Sequence, residues 1–448
     1  MTNIDSPFWL KLLPKSIRQR LVGRKTLFAL LHNSGWLLAD KAMRMLFGLV
    51  VGVMVTRYLG PSQFGELAYA FAYIAFFQAL ANLGLDGLII RDLTHRPVCA
   101  GQILGTAFIL RLFSGVFCWI AAIFIMALMD GWGKQEVWIV ALAGSSLIFQ
   151  VADTVDLWFQ SQSQNWRTVL AKLLAYFVSS MLRIFLVIYE APLLAFAGVV
   201  ALDGLFASLA LAYAYKKFPC NEPWYFIKNQ AIALIKESWP YMLSGLSIMV
   251  YMRIDQILVL KILGQRESGI YAAVLAFATV WQFIPMTLMS SLAPFVAKAK
   301  QESNNDYSLA LVRIFKAFAI LGWLVCLPIA FFSESIVLLL YGSAYIEGGS
   351  VLRIYVFTNL FINLGVAQGF WLLNEGKSTI SLYKSIVGGV VCILADLLLI
   401  PMYGLIGAAI AAVIAQMVST TLVNIVIAPG IFKMQMNSIL LRGLIRRS

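Results

Sequence analysis

The chain has 448 residues, of which 61% are hydrophobic and only 12% are charged, and its formal net charge is +13. A soluble domain rarely exceeds about 50% apolar residues, so this composition excludes an ordinary soluble protein. Long apolar stretches recur along the whole chain and indicate a polytopic membrane protein, for which excess positive charge does not imply a nucleic-acid partner.

The first 34 residues lack a sustained apolar stretch and are strongly basic. Their cations are Lys11, Lys15, Arg18, Arg20, Arg24 and Lys25. Because cytoplasmic segments of membrane proteins are enriched in Lys and Arg, residues 1–34 are predicted to be a cytoplasmic segment rather than a cleaved signal peptide.

The remaining chain divides into apolar helices. A helix that crosses the membrane needs about 20 mostly apolar residues. On this basis the sequence predicts an all-α fold with about twelve transmembrane helices, at residues 35–58, 66–90, 103–128, 136–158, 168–189, 193–215, 239–262, 270–297, 311–332, 350–373, 379–400 and 404–428.

The distribution of cations orients these spans. Lys and Arg collect in the connections on one side, and the opposite connections hold only Arg57, Lys134, Lys261 and Arg266. The positive-inside rule then places both termini in the cytoplasm.

The two halves of the chain resemble each other. Residues 59–68, "LGPSQFGELA", and 263–272, "LGQRESGIYA", share LG-x4-G-x2-A after the first and the seventh span. Gly60 and Gly264 fit a turn with unusual backbone angles, and Gly65 and Gly269 allow the next helix to approach its neighbour. Six spans per half give a parallel repeat with the substrate site in the cleft between two lobes.

The predicted organisation follows from this repeat. A basic cytoplasmic linker, residues 216–238, separates an N-lobe of spans 1–6 (residues 35–215) from a C-lobe of spans 7–12 (residues 239–428). A second basic cytoplasmic segment occupies residues 429–448.

Several charged residues fall inside the predicted spans. A charge at the membrane centre costs at least about 2.5–3.5 kcal/mol, so such side chains normally face protein or a wet cavity. The candidates to contact a substrate are the cations Arg44, Arg253, Lys41 and Arg111, and the candidate charge partners or ion-coupling groups are Asp40, Asp255 and Asp203.

Two interpretations of these charges remain open. Asp40 and Arg44 lie four residues apart on one helical face and could form an internal ion pair, whereas Arg253 and Asp255 lie on different faces and need other partners. Either the charges form salt bridges between the lobes, or the arginines line a cavity. Because the guanidinium group suits phosphate, the second case predicts an anionic, phosphorylated substrate.

The sequence favours a transporter over an enzyme. The five cysteines are scattered, only His32 and His95 are histidines, and no Gly-rich phosphate loop of the Walker type is present. These features exclude zinc, disulfide and Ser-His-Asp chemistry as interpretations, and no catalytic residue or cofactor is predicted.

Stretches along nearly the whole chain resemble the Wzx-type oligosaccharide flippases of the multidrug/oligosaccharidyl-lipid/polysaccharide exporter superfamily. The most specific is "RYLGPSQFG" (57–65), within the similar first two spans, residues 33–73. "DLWFQSQSQNWRTVLAK" (156–172) is similar to the loop after span four, and "WPYMLSGLSIMVYMRIDQILVLKILG" (239–264) is similar to span seven.

The resemblance implies a function in the bacterial inner membrane. Such flippases move an undecaprenyl-pyrophosphate-linked oligosaccharide from the cytoplasmic to the periplasmic leaflet for O-antigen or capsule assembly, by alternating access through a cationic cavity. A polysaccharide polymerase and a chain-length regulator are the implied partners. Proton or sodium coupling is suggested for the family, with no ion site assigned here.

Three alternatives remain at this point. A flippase for a peptidoglycan lipid precursor is chemically close, because that lipid also carries pyrophosphate, although such proteins resemble a fourteen-span pattern. A multidrug exporter would carry cations, which an Arg-lined cleft disfavours. A scaffold for polysaccharide synthases would tolerate replacement of the deep charges by apolar residues.

Overall fold

The structure, a computed structural model, describes residues 25–162, 164–220 and 222–440, with side chains from residue 43 onward except at positions 290, 291, 294 and 378. These residues form helices and turns without a β-strand. The predicted all-α class is therefore confirmed.

Between residues 25 and 217, the described part of the first half contains eight α-helices. They are α1 (Lys25–Ala81), α2 (Asp86–His95), α3 (Ala100–Asp130), α4 (Gln135–Gly144), α5 (Ser146–Phe149), α6 (Asp153–Ser161), α7 (Asn165–Ile188) and α8 (Leu193–Lys217), with 3-10 turns at Pro97–Cys99 and Gln150–Ala152.

Ten α-helices lie in the second half as far as residue 440, where the described structure ends. They are α9 (Lys228–Leu263), α10 (Gln265–Val280), α11 (Phe283–Glu302), α12 (Asn304–Phe331), α13 (Ser333–Tyr341), α14 (Gly348–Tyr355), α15 (Thr358–Asn374), α16 (Ser378–Met417), α17 (Asn424–Ile427) and α18 (Pro429–Ile439). A 3-10 turn at Ser343–Tyr345 and a π-helical turn at Val418–Leu422 interrupt them.

Over the described residues, nine helical stretches are long and apolar enough to cross a membrane. Two of them, Met43–His95 and Thr379–Ile427, are long enough for two spans each. Their helices α1 and α16 bend at Gly60 and Gly404, where the backbone leaves helical geometry. With the predicted seventh span lying in α9, this arrangement matches the twelve predicted spans.

Each half of the chain has its own apolar core. The first core joins α1, α3, α4 and α8, and the second joins α10, α12, α13, α14 and α16. Each core is also contacted by a side chain from the other half. Val53 of α1 packs on the second core, and Ile257 of α9 packs on the first. The chain therefore folds as two lobes that touch along α1 and α9.

The repeated glycine motif lies where the lobes meet. Gly60 and Gly264 have positive φ angles of 68° and 109°, which confirms the unusual backbone expected at these turns. A Cβ atom on Gly65 would clash with the backbone of Gln265, and one on Gly269 would clash with the backbone of Pro61. The two equivalent glycines thus allow α1 and α10 to pack with their backbones in contact.

The predicted linker packs on the first lobe. Cys220 and Leu234 are buried in one apolar cluster with Leu85, Ile89 and Leu104. Two glycines of α3, Gly101 and Gly105, lie against the backbone of residues 222–225. The first turns of α9, up to about Pro240, therefore belong structurally with the first half of the chain.

Candidate functional site

The N-lobe contains a polar cavity of about 400 Å³. Helices α1, α4, α7 and α8 and the short turn before α6 supply its wall. The polar and aromatic side chains that line it include Arg44, Phe71, Gln78, Ser146, Gln150, Asp153, Lys172, Asp203 and Ser208. Of the residues predicted to form the site, Arg44 and Asp203 therefore share this cavity.

Arg44 is partly buried and is held against α7. Its guanidinium lies over the ring of Tyr176, 5.2 Å from the centroid, and the Tyr176 hydroxyl donates a hydrogen bond of 3.1 Å to the Arg44 carbonyl. This stacking and the backbone hydrogen bond fix the orientation of the Arg44 side chain at the cavity.

Lys172 of α7 bridges two acids of α6. Its Nζ lies 2.7 Å from Asp153 Oδ1 and 2.8 Å from Asp156 Oδ2. Asp203 of α8 instead accepts a hydrogen bond of 2.8 Å from the Ser179 hydroxyl. The local acids thus neutralise Lys172, and Asp203 has a neutral partner.

The C-lobe contains a larger cavity of about 610 Å³. Its wall is formed by α9, α10, α11, α14, α15, α16 and one face of α1. The polar, aromatic and sulfur-containing side chains that line it include Phe64, Phe71, Tyr251, Arg253, Asp255, Gln256, Thr279, Gln282, Tyr355, Thr358, Ser385, Cys392 and Gln416.

Arg253 and Asp255 occupy opposite environments in this cavity. Arg253 is exposed and forms no ion pair with any acid that the structure describes. Asp255 is buried and accepts a hydrogen bond of 2.7 Å from the Tyr271 hydroxyl. The expectation that these two side chains do not pair with each other agrees with this geometry.

A second acid is buried near Asp255. Asp396 of α16 is fully buried, its Oδ2 lies 3.4 Å from Cys392 Sγ, and its Oδ1 has no hydrogen-bond partner. Helices α9 and α16 pack side by side, which brings the two carboxyl groups into one region. Asp396 is not among the site residues predicted from the sequence; its position inside a long apolar helix was the available signal.

Phe71 connects the two cavities. It lines both of them, and it also lines a smaller apolar cavity of about 210 Å³ beside Gly48 and Arg183. Phe64, Phe71 and Gln78 follow one another at intervals of seven residues and so share one face of α1. This face of α1 lines all three cavities. Because Phe64, Phe71 and Gln78 are uncharged, the search for charged residues in the sequence did not identify it.

Of the other three predicted site residues, one lies outside both cavities and two have side chains that the structure does not describe. Arg111 is buried and forms an ion pair with Asp86, together with a hydrogen bond of 3.1 Å to Asn82 Oδ1, and it lines neither cavity. The side chains of Asp40 and Lys41 lie outside the described residues. A substrate role for these three residues stays a prediction.

The described charges of the two cavities balance in number. The cations are Arg44, Lys172 and Arg253, and the acids are Asp153, Asp203 and Asp255. Their surroundings differ, however, since Lys172 is bridged by two acids while Arg253 is exposed and forms no ion pair with a described acid. The two cavities therefore have no excess of positive charge, and their ability to bind an anion depends on which cations lack an ion pair.

The lobes are joined at the end that is predicted to be periplasmic. Arg57 Nε donates to the Leu340 carbonyl at 2.6 Å, and the Tyr345 hydroxyl donates to the Thr56 carbonyl at 2.8 Å. Lys261 of α9 forms an ion pair with Asp130 of α3. These contacts, with the paired glycines, close this end of the cleft.

One ion pair near the opposite end holds the start of α9 against α2 of the first half. Arg91 of α2 binds Glu237 of α9. The Arg91 guanidinium lowers the pKa of the Glu237 carboxyl, so both groups are charged at neutral pH. Because both side chains are well exposed, this pair contributes little to stability.

The chain matches a known family and a known bacterial protein at the level of sequence. The pattern of the family described as "Polysaccharide biosynthesis protein" matches residues 30–300. The chain is 20% identical over 404 residues to the capsular polysaccharide biosynthesis protein CapF of Staphylococcus aureus, which covers 87% of this chain and 97% of CapF.

Solved structures share the fold at low identity. An inward-facing multidrug resistance MATE family transporter of the MOP superfamily superimposes with a TM-score of 0.71 at 17% identity, covering 89% of this chain and 95% of the transporter. The lipid II flippase MurJ, in an inward closed conformation, superimposes with a TM-score of 0.68 at 13% identity, covering 90% and 91%.

Proposed function

This chain belongs to the family of polysaccharide biosynthesis proteins, and from that premise we propose that it is a flippase for undecaprenyl-pyrophosphate-linked oligosaccharide. The observation that carries the proposal is the pair of cavities in facing lobes, with Arg44 in one, Arg253 in the other and Phe71 in both. The family and the fold make it a membrane transporter of the flippase type.

The pyrophosphate is proposed to lie between the two lobes. Arg44 and Arg253 would each donate N–H groups to it, since a guanidinium binds phosphate in a bidentate manner. The polyprenyl tail would stay in the lipid, because its apolar surface gains nothing from a polar cavity. Only the head group would then cross the membrane through the cleft.

Alternating access is the proposed mechanism. Lobe contacts at the predicted periplasmic end, through Arg57, Tyr345 and Lys261, are those expected of a state open toward the cytoplasm. Breaking them while the inner ends approach each other would expose the head group to the periplasm. Two equivalent lobes that rock about a shared axis fit this scheme.

The acids are proposed to couple transport to an ion. Asp255 and Asp203 line the two cavities, and each is hydrogen-bonded to a hydroxyl group, so each could be occupied by a proton or a sodium ion in one conformation. Replacement of Asp255 by Asn should then abolish the dependence of transport on the pH or sodium gradient, measured in proteoliposomes. An unchanged gradient dependence in this variant would rule out coupling at Asp255.

The test of the proposed function is a lipid analysis of a host that lacks this chain. Mass spectrometry should find accumulated undecaprenyl-pyrophosphate oligosaccharide together with loss of a surface polysaccharide, and the intact chain should reverse both. The mass would identify the sugar. Accumulation of a peptidoglycan precursor instead would assign the lipid II alternative, and unchanged lipids would overturn the flippase proposal.

The same host distinguishes a transporter from a scaffold for polysaccharide synthases. A synthase scaffold would lower the amount of the lipid-linked precursor, whereas a missing flippase should raise it. The polymerase, the chain-length regulator and an inner-membrane location with cytoplasmic termini remain proposals that follow from the substrate and from the distribution of Lys and Arg.

A further inference from the structure

The C-lobe cavity contains amide groups that have no partner. Gln256 and Gln282 are 5% and 9% exposed, and both line the cavity. Neither side chain forms a hydrogen bond with any group that the structure describes, and the same is true of the half-buried Gln416. None of their amide atoms is among the sealed polar atoms without a partner, so the three amides reach the cavity and present their donors and acceptors to it.

The three amides converge from different parts of the fold. Gln256 belongs to α9, Gln282 lies between α10 and α11, and Gln416 lies near the end of α16. Tyr251, at the wall of the same cavity, already has the Ser419 side chain as a partner and is not counted with them. Because helices far apart in sequence supply these groups, no local structural requirement accounts for all of them.

The chemistry of these groups selects a class of ligand. A glutamine amide offers two N–H donors and a carbonyl acceptor, which matches hydroxyl groups that both donate and accept. Such neutral groups do not compensate an ionised phosphate, whereas Arg253 at the same cavity can. Aromatic and aliphatic side chains, among them Phe71, supply the apolar surface on which the C–H face of a sugar ring can pack.

We propose that the C-lobe cavity is the saccharide subsite, in which Gln256, Gln282 and Gln416 bind sugar hydroxyl or N-acetyl groups and thereby determine which lipid-linked saccharide is carried. This inference rests on the proposed function. It divides the head group between the lobes: phosphate lies near Arg44 and Arg253, and the sugar extends past Phe71 into the C-lobe.

The consequence is selectivity for the sugar rather than for the lipid. A site built to hydrogen-bond hydroxyl groups discriminates strongly against ligands that lack them, since its buried amides are then left unpaired. The sugar-free polyprenyl pyrophosphate should therefore bind more weakly than the saccharide-bearing carrier, and the difference should depend on the three glutamines.

The experiment measures the carriers that copurify with the full-length protein. The protein is solubilised from a host that makes a lipid-linked saccharide, and mass spectrometry gives the ratio of saccharide-bearing to sugar-free polyprenyl carrier. Gln256→Met, Gln282→Met and Gln416→Met keep the side-chain volume but remove the hydrogen bonds. Each should lower the ratio at least about fivefold, as expected for the loss of a hydrogen bond to a sugar.

Controls make the result decisive. Gln301→Met, on the exposed surface of α11, should keep the ratio of the unchanged protein. If a buried variant does not purify as a folded protein, the half-buried Gln416 provides the milder Gln416→Asn, which shortens the side chain and should also lower the ratio.

The outcomes separate the two proposals. Unchanged ratios in all glutamine variants, with a saccharide-bearing carrier present on the unchanged protein, would overturn the saccharide subsite and leave the flippase proposal intact. Absence of any saccharide-bearing carrier from the unchanged protein would overturn the proposed function and the subsite together.

Discussion

Individual side chains in this protein acquire their roles from what surrounds them. Arg111 and Arg253 are both deep in predicted spans, yet Arg111 is buried against Asp86 while Arg253 is exposed at a cavity. A buried arginine needs a carboxylate partner, because loss of that carboxylate leaves a buried charge unpaired. An exposed cavity arginine is available to a ligand.

This difference predicts opposite effects of two charge removals. Arg253→Gln should reduce transport by at least about tenfold with normal protein levels, as expected for a lost charge-assisted bond to phosphate. Arg253→Lys should retain part of the activity because the charge remains. The measurement is delivery of lipid-linked saccharide to the outer leaflet in cells, with protein quantified in the same samples.

Arg111 is the matched control. Arg111→Gln should lower the thermal stability of the purified protein, since the buried side chain loses its ion pair and part of its packing, and it should lower transport only in proportion to the folded protein that remains. Full transport by Arg253→Gln would contradict the phosphate role.

Lys172 is predicted to be structural despite lining the N-lobe cavity. Lys172→Met leaves Asp153 and Asp156 close together without a cation, and it should lower the free energy of unfolding by roughly 1–3 kcal/mol. Addition of Asp153→Asn and Asp156→Asn should restore the midpoint of thermal unfolding. A lack of recovery in the triple variant would show that Lys172 does more than neutralise these acids.

At the scale of helices, the decisive contact is the crossing of α1 and α10. Gly65 and Gly269 let the two backbones touch, and the equivalent positions of these glycines in the two halves place the crossing on the axis of the repeat. Small residues at such a crossing promote close packing of transmembrane helices. The crossing therefore serves as the closed seam of the cleft.

Adding a methyl group at this seam should separate the two helices. Gly65→Ala or Gly269→Ala is expected to destabilise the closed outer end by about 1–3 kcal/mol, the usual cost of overpacking. Labelling of a cysteine placed at Phe71 from the predicted periplasmic side should increase. Gly52→Ala in the same helix is the control, because its Cβ would meet no atom within 4 Å; equal labelling in all three variants would contradict the seam.

At the scale of the whole molecule, transport requires the two lobes to separate where they now touch. Lys261 and Asp130 join helices of different lobes, whereas Arg266 and Glu347 form an ion pair within the C-lobe, with 2.8 Å between the charged atoms. The first pair must break during transport, and the second moves as part of one body.

Cross-linking distinguishes these two pairs. In a background without native cysteines, a short reducible linker between Asp130→Cys and Lys261→Cys should stop transport, and reductant should restore it. The same linker between Arg266→Cys and Glu347→Cys should leave transport near its starting value. Continued transport with the first pair joined would exclude rocking of the lobes about this seam.

The sequence by itself determined the class of the protein, the division into spans, the parallel repeat with its special glycines, and the family resemblance. These features depend on local composition and spacing, because about 20 apolar residues form a span whatever surrounds them. The position of Arg44 and Arg253 at cavities agrees with what their depth in apolar helices suggested.

Only the tertiary structure decided which polar groups face a cavity and which face a partner. The burial of Arg111 against Asp86, the place of Phe71 between cavities and the unpartnered state of Gln256, Gln282 and Gln416 all depend on helices that are distant in sequence. Periodicity identifies a helical face, but the neighbour of that face is fixed by packing of the whole chain. The packing of the predicted linker on the N-lobe also depends on the whole chain. Gly101 and Gly105 of α3 leave room for the linker backbone, which composition alone does not reveal.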